Sequence, residues 1–269
     1  MSCTLWSVWT QHPMLTIPHT QYTLIGYSIA ALRTNFYIKE LGIMFDAGLS
    51  GEMCADHIFI THAHGDHTAN IGFHLLSSKP DQKIQIYVPK DSLKQIDSYI
   101  KSLYVMSCNL KDESEVTISS VYDIIGVDVG IIDIIIKKKK FEIEIFACDH
   151  SVPCIAFGIT EIRSKLKEEY IGLNNKEITE VKKKGINVTK LVKYPIFCYV
   201  GDTSKEVLLN PSLSKYSTIM IECTFLLEED IEQSNLTKHM HWKYLYPYIK
   251  NHPNNTFVLY HFSRRYKPS

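Results

Sequence analysis

At 269 residues and 31.0 kDa the chain is long enough to bury one sizeable core or two small ones, and 45% hydrophobic with 22% charged residues excludes a disordered or fibrous class. Lysine plus arginine equals aspartate plus glutamate at 29 each, so no whole-molecule field draws nucleic acid, and any such partner must be held by local patches. Seven cysteines, an odd count without CxxC spacing and partly inside apolar runs, argue against a disulfide framework and for a reducing compartment.

No apolar run approaches the ~20 residues of a membrane span, so no membrane partner is expected. MSCTLWSVWTQHP has no basic start followed by an apolar core; no leader is read, and the cytoplasm is expected with the nucleus left open. Residues 22–60 read as short strands, YTLIGYSIA, TNFYIK, GIMFDAG and HIFIT, broken by Gly26, Gly42, Gly48 and Gly51. A helix is predicted over 68–78, a strand over 83–89, and a second helix from 90 to 104 with Asp91 as its N-cap. From 115 to 150 strand-like runs return, and DIIIKKKKFEIEIFACDH reads as a hairpin whose turn is Lys137 to Lys140, a solvated turn rather than an RNA patch. Residues 161–193 form the most polar long section, with one helix near 175–184 ended by Gly185. PIFCYVGDT, KYSTIMIECTF and NNTFVLYHFS complete the strands. Strands alternating with helices predict a mixed α/β architecture. No repeat or linker interrupts it, so one domain over 1–269 is expected, with a polar insertion at about 161–193.

The stretch FITHAHGDHTANI places His62, His64, Asp66 and His67 within six positions, on a predicted loop between a buried strand and a helix. Imidazole nitrogen and carboxylate oxygen are the ligands that suit zinc and similar divalent ions, and such loops are held by a rigid scaffold while their side chains converge. His62 and His64 alternate by two whereas Asp66 and His67 are adjacent, so one loop can serve two neighbouring metals. Other candidate donors share this context: His150 follows FEIEIFA, Asp202 follows PIFCYV, and His261 follows FVLY. Strand ends from one sheet edge are expected to bring them together.

THAHGDH, DHSVPCIAFGI, YVGDT, IECTF and HFSRRY, in that order over almost the whole chain, resemble the metallo-β-lactamase superfamily and, within it, the tRNase Z family that matures tRNA 3′ ends. KLKEEYIGLNNKEI followed by GINVT and GDT is similar to the short plant and cyanobacterial branch. The resemblance implies an αββα four-layer sandwich, two zinc ions with manganese or another divalent ion as alternatives, a homodimer, and cleavage of the 3′ trailer of precursor tRNA through a metal-bridging hydroxide. It implies that His62, His64 and His150 hold one metal, that Asp66, His67 and His261 hold the other, and that Asp202 bridges them. Asp66 would also orient the hydroxide as general base. His239, oriented by Glu222, would protonate the leaving ribose oxygen, although Lys238-His239-Met240-His241 offers a second histidine that reads as structural. Ser263, Arg264 and Arg265 would contact substrate phosphates, an exposed basic terminus being the other reading of the two arginines. Asp46 in MFDAG either supports the histidine loop or turns the chain before Gly48.

The chain departs from the family in substrate recognition. LIGYSIAALRTNFY lacks a glycine-rich basic loop, and the 52 positions from His150 to Asp202 are too few for a long tRNA-binding arm. The lysine-rich stretch 163–184 either replaces that arm or is a solvated helix face. A hydrolase of a small phosphodiester, lactam or thioester would keep every donor, but HFSRRY with Glu222 and His239 argues against it. A binding protein stapled by metal needs only a closed set of four ligands.

Overall fold

The computed structural model describes residues 14–50, 53–78, 82–116 and 121–266; Gly51 and His12 lie outside the described residues. The first half builds a seven-stranded sheet in sequential order: β1 (Met14–Thr16), β2 (Thr23–Ile29), β3 (Arg33–Ile38), β4 (Ile43–Phe45), β5 (His57–Phe59), β6 (Ile84–Pro89) and β7 (Tyr122–Val127). β1 to β4 run antiparallel, and β4 to β7 run parallel. Helices α1 (Gly65–Thr68), α2 (Ile71–Leu76) and α3 (Leu93–Ser107) fill the crossovers. The second half builds a six-stranded sheet from β8 (Gly130–Ile136), β9 (Lys139–Cys148), β10 (Cys154–Leu166), β11 (Thr189–Tyr199), β12 (Thr218–Glu222) and β13 (Thr256–Tyr260), ordered 13-12-11-10-9-8. Its helices are α4 (Asn175–Lys183), α5 (Ile231–Thr237) and α6 (Trp242–Asn251).

Alternation along the strands sorts side chains into three apolar layers. Phe45, Phe59, Phe141, Phe157, Phe197 and Tyr199 pack between the two sheets. Met44, Ile58 and Ile86 face the other way, onto Ile71 of α2 and Ile96 of α3. Cys198, Ile219 and Ile221 face Leu245 of α6. Helix, sheet, sheet and helix therefore stack as the expected αββα sandwich. The sheets interlock through rings, Phe45 on Tyr199 at 4.8 Å and Phe59 on Phe157 at 5.0 Å; full burial of each such side chain contributes roughly 1.5–3 kcal/mol.

Three local expectations are corrected. The helix expected over 68–78 is α2, Ile71–Leu76, and a separate turn, Gly65–Thr68, precedes it, so Asp66 and His67 ride on a helical turn. Asp91 lies within a 3₁₀ turn, Lys90–Ser92, and the helix that follows is capped by the backbone position of Ser92. The polar section begins and ends in strand: β10 runs on to Leu166 and β11 starts at Thr189. Beyond Ile162 these two strands pair only with each other, forming a ribbon tipped by α4. The tip itself follows expectation, because Asn174 makes a capping box with Glu177 and Gly185 follows the helix at φ +78°. Lys137 and Lys138 form the β8–β9 turn at φ +46° and +69°, while Lys139 and Lys140 belong to β9.

Candidate metal centre

β4 to β7 are mutually parallel, and in the other sheet β9, β11, β12 and β13 share one direction, since β10 is antiparallel to both β9 and β11. Their carboxyl ends meet at one edge of the sandwich. Thr61 and His62 follow β5, His150 follows β9, Asp202 follows β11, Glu222 ends β12 and His261 follows β13. The strand-end convergence expected from the sequence is therefore the geometry found.

Seven donor side chains form two touching groups. His62 Nε2 lies 3.1 Å from His64 Nδ1, which lies 3.2 Å from His150 Nε2. In the second group His261 Nε2 lies 3.3 Å from Asp66 Oδ2 and 3.4 Å from His67 Nε2. Asp202 Oδ2 reaches both groups, at 3.7 Å from His62 Nε2, 3.5 Å from His67 Nε2 and 3.3 Å from His261 Nε2. Each set, His62 with His64 and His150, and Asp66 with His67 and His261, keeps its donor atoms within 4.8 Å of one another.

The outward nitrogens explain why the inward ones are bare. Thr61 donates its hydroxyl to Asp46 Oδ1 at 3.0 Å and accepts Nδ1–H of His62 at 2.9 Å. His67 donates Nδ1–H to Asp46 Oδ2 at 2.7 Å, His150 donates to the Lys238 carbonyl at 3.2 Å, and His261 donates to Thr224 Oγ1 at 3.0 Å. Fixing one ring nitrogen in this way presents the other as a lone pair and orients the ring. Asp46 is fully buried and also accepts Thr61 N–H at 2.8 Å and the Tyr199 hydroxyl at 2.7 Å. At φ +54° it turns the chain as well, so both readings of Asp46 hold. Gly48 has to be glycine here, because a Cβ would stand 1.7 Å from the Asp66 carbonyl oxygen.

Electrostatics favour uncharged imidazole donors in the first group. Burial holds the His62, His64 and His150 rings below the ordinary histidine value and therefore neutral. Burial also opposes charge on His67, but Asp202 and Asp46 outweigh it and raise its pKa well above that value. Burial would raise Asp202, yet His261 and His67 hold its carboxyl well below the usual range. Its Oδ1 is buried without a hydrogen-bond partner. An orphaned carboxylate oxygen beside bare imidazole nitrogens fits a divalent cation, which would satisfy all of them together.

His239 and Glu222 stand on the same wall. His239 Nδ1 lies 2.9 Å from Glu222 Oε1, and Glu222 is fully buried, accepting also Thr203 N–H at 2.9 Å and the Thr224 hydroxyl at 2.6 Å. Burial opposes charge on His239, but Glu222 raises its pKa to about 9. The second histidine of that stretch is structural: His241 caps α6 through Nδ1 and donates Nε2–H to the Leu227 carbonyl at 2.8 Å. A cleft of about 600 Å³ opens over the centre, lined by His64, Asp66, Asp202, His239, His261 and Arg264 among others. Ser263 and Arg265 line it too, but Arg265 is paired with Asp230 and lies over the Phe225 ring. Among the described residues Arg264 has no ion-pair partner. Thr61, Tyr199 and Thr224, which orient the donors, had no role assigned from the sequence, although all three sit inside the motifs THAHGDH, YVGDT and IECTF. His57 lies at the start of β5 and stacks on Tyr87, away from the centre.

An αββα sandwich carrying histidine and aspartate donors at the carboxyl edge of both sheets gives the chain the metallo-β-lactamase fold. The fold is similar to that of the metallo-β-lactamase fold protein YhfI from Bacillus subtilis, with a TM-score of 0.57 and 13% identity over 88% of this chain and 84% of that one. It is also similar to human tRNase Z, short form, with a TM-score of 0.60 and 17% identity over 90% and 93%. No protein-family model matches the chain. In sequence the chain is similar to tRNase Z proteins: it is 28% identical to tRNase Z TRZ1 of Arabidopsis thaliana, over 91% of this chain and 86% of the relative. It is 26% identical to the chloroplastic TRZ2 of the same plant, over 91% and 68%.

Proposed function

We propose that the chain is a zinc-dependent endoribonuclease that removes the 3′ trailer from precursor tRNA, working as one domain over residues 1–269. The observation that carries this reading is the Glu222–His239 pair, 2.9 Å apart, on the wall of the cleft over the donor cluster. A ribose oxygen leaves poorly without a proton, and a histidine held protonated by a buried carboxylate can deliver one. His62, His64 and His150 would hold one ion, Asp66, His67 and His261 a second, and Asp202 both. Two such ions supply a deprotonated water and stabilise the phosphate oxygens of an in-line displacement. Asp66 would direct a water toward the phosphate, Glu222 would keep His239 aimed, and Thr61, Thr224 and Asp46 hold the rings. Ser263 and Arg264, which line the cleft, would meet a phosphate, whereas Arg265 would do so only by leaving Asp230.

The relatives named tRNase Z support this reading. We also propose a homodimer, tested by light scattering, and cytoplasmic residence, tested by a fluorescent fusion; among the described residues no helix is long and apolar enough to cross a membrane. The decisive experiment is cleavage of a precursor tRNA with a 3′ trailer, with zinc or manganese supplied. One cut after the discriminator base is expected, reduced at least about a hundredfold in Asp66→Ala. An intact precursor, together with Asp66-dependent hydrolysis of a small phosphodiester, would replace the tRNA assignment with the small-substrate one.

A further inference from the structure

We propose that Lys238 and Asp149 are positioning residues that set the spacing between the His150 and His239 rings, an inference that rests on the metal-dependent reading above. Lys238 adopts a backbone that lysine disfavours. It sits at φ 55°, ψ 48° at the end of α5, the left-handed conformation in which glycine alone meets no Cβ clash. Its contacts account for a lysine there. Its carbonyl accepts Nδ1–H of His150 at 3.2 Å, and its ammonium lies 2.8 Å from Asp149 Oδ1. The next residue is His239, itself bonded to Glu222.

Asp149 is equally committed. Its N–H donates to Thr203 Oγ1 at 3.1 Å, its carbonyl accepts Ser204 N–H at 2.9 Å, and its Oδ2 accepts the Ser204 hydroxyl at 2.7 Å. The segments that carry His150, Asp202 and His239 therefore join at one ion pair, and the two rings it governs stand 4.9 Å apart at 63°. The pair is 44% and 39% exposed, where ion pairs contribute little to stability. A positioning role and a folding role thus separate in experiment.

The test uses the full chain. Lys238→Gly keeps the left-handed backbone and the carbonyl but removes the ammonium, Asp149→Asn removes the charge opposite, and Lys238→Arg retains a cation. Metal-free protein is titrated with zinc against a chromogenic chelator, and the zinc-loaded protein is assayed on precursor tRNA. Lys238→Gly and Asp149→Asn are each expected to weaken zinc binding about tenfold and lower kcat about tenfold with KM unchanged. The double variant should lose no more than either single one, Lys238→Arg should keep most of both quantities, and the Tm of metal-free Lys238→Gly should hold or rise. Single variants that bind zinc and turn over like wild type, or losses that simply add in the double variant, overturn the positioning role. A wild type that binds no zinc instead fails the reading beneath it, and the proposal with it.

Discussion

A single hydroxyl, that of Thr224, donates to Glu222 at 2.6 Å and accepts from His261 at 3.0 Å, so one side chain aligns both the Glu222–His239 pair and the group of Asp66, His67 and His261. Thr224→Val keeps the shape and removes the hydroxyl, leaving buried polar atoms unpaired; a loss of about 1–3 kcal/mol in urea unfolding is expected, with weaker activity. A variant as stable as wild type would show that other groups already satisfy these atoms. The donors themselves were legible in the sequence because histidine and aspartate at strand ends in tight spacing are uncommon. Thr61, Tyr199 and Thr224 were not, since a threonine or tyrosine near a strand end is ordinary and only pairing in space gives it a task. Three non-glycine residues at positive φ, Asp46, Lys238 and His261, cluster around the centre, which is where strained backbone is held by its surroundings.

At the scale of elements, the short central strands announced themselves through one-sided apolar alternation, whereas the outer parts of β10 and β11 did not. EIRSKL and TKLVKY are mostly wetted on both faces, so no period of two stands out, and a polar insertion was the natural reading. Two predictions belong to this ribbon. At its root, Glu161 is nearly buried between Arg163 and Lys139. Burial opposes its charge, but Arg163 and Lys139 hold its pKa below the ordinary 4.5. A carboxylate depressed in the folded state stabilises above its unfolded pKa and ceases to as pH falls through the folded one. Glu161→Gln should therefore lower the urea midpoint at pH 7 and do so progressively less below about pH 4.5; a gap that is constant with pH refutes the charge argument. At the tip, Lys182, Lys183 and Lys184 are exposed. Replacing all three with alanine is expected to leave Tm unchanged while weakening precursor binding and flattening its salt dependence, by about one unit of slope for each phosphate no longer neutralised. Unchanged affinity would make these lysines a solvated face only.

For the molecule as a whole, the two sheets meet over a centre to which both contribute, and Asp46 joins them directly through the Tyr199 hydroxyl. Ions that bind only the folded protein add stability by mass action, about 2.7 kcal/mol at a hundredfold excess over Kd. Removing them with a chelator should lower Tm by about 5–10 °C for a chain of this size, read by calorimetry with and without added zinc; an unchanged Tm would mean that the donors hold no ion tightly. The donors are also divided in time. His62, His64, Asp66 and His67 leave the ribosome at least 194 residues before His261, the residue that follows the last strand. At roughly 5–20 residues per second this interval lasts about 10–40 s, during which the four donors of the first sheet exist without the complete set that the second sheet supplies.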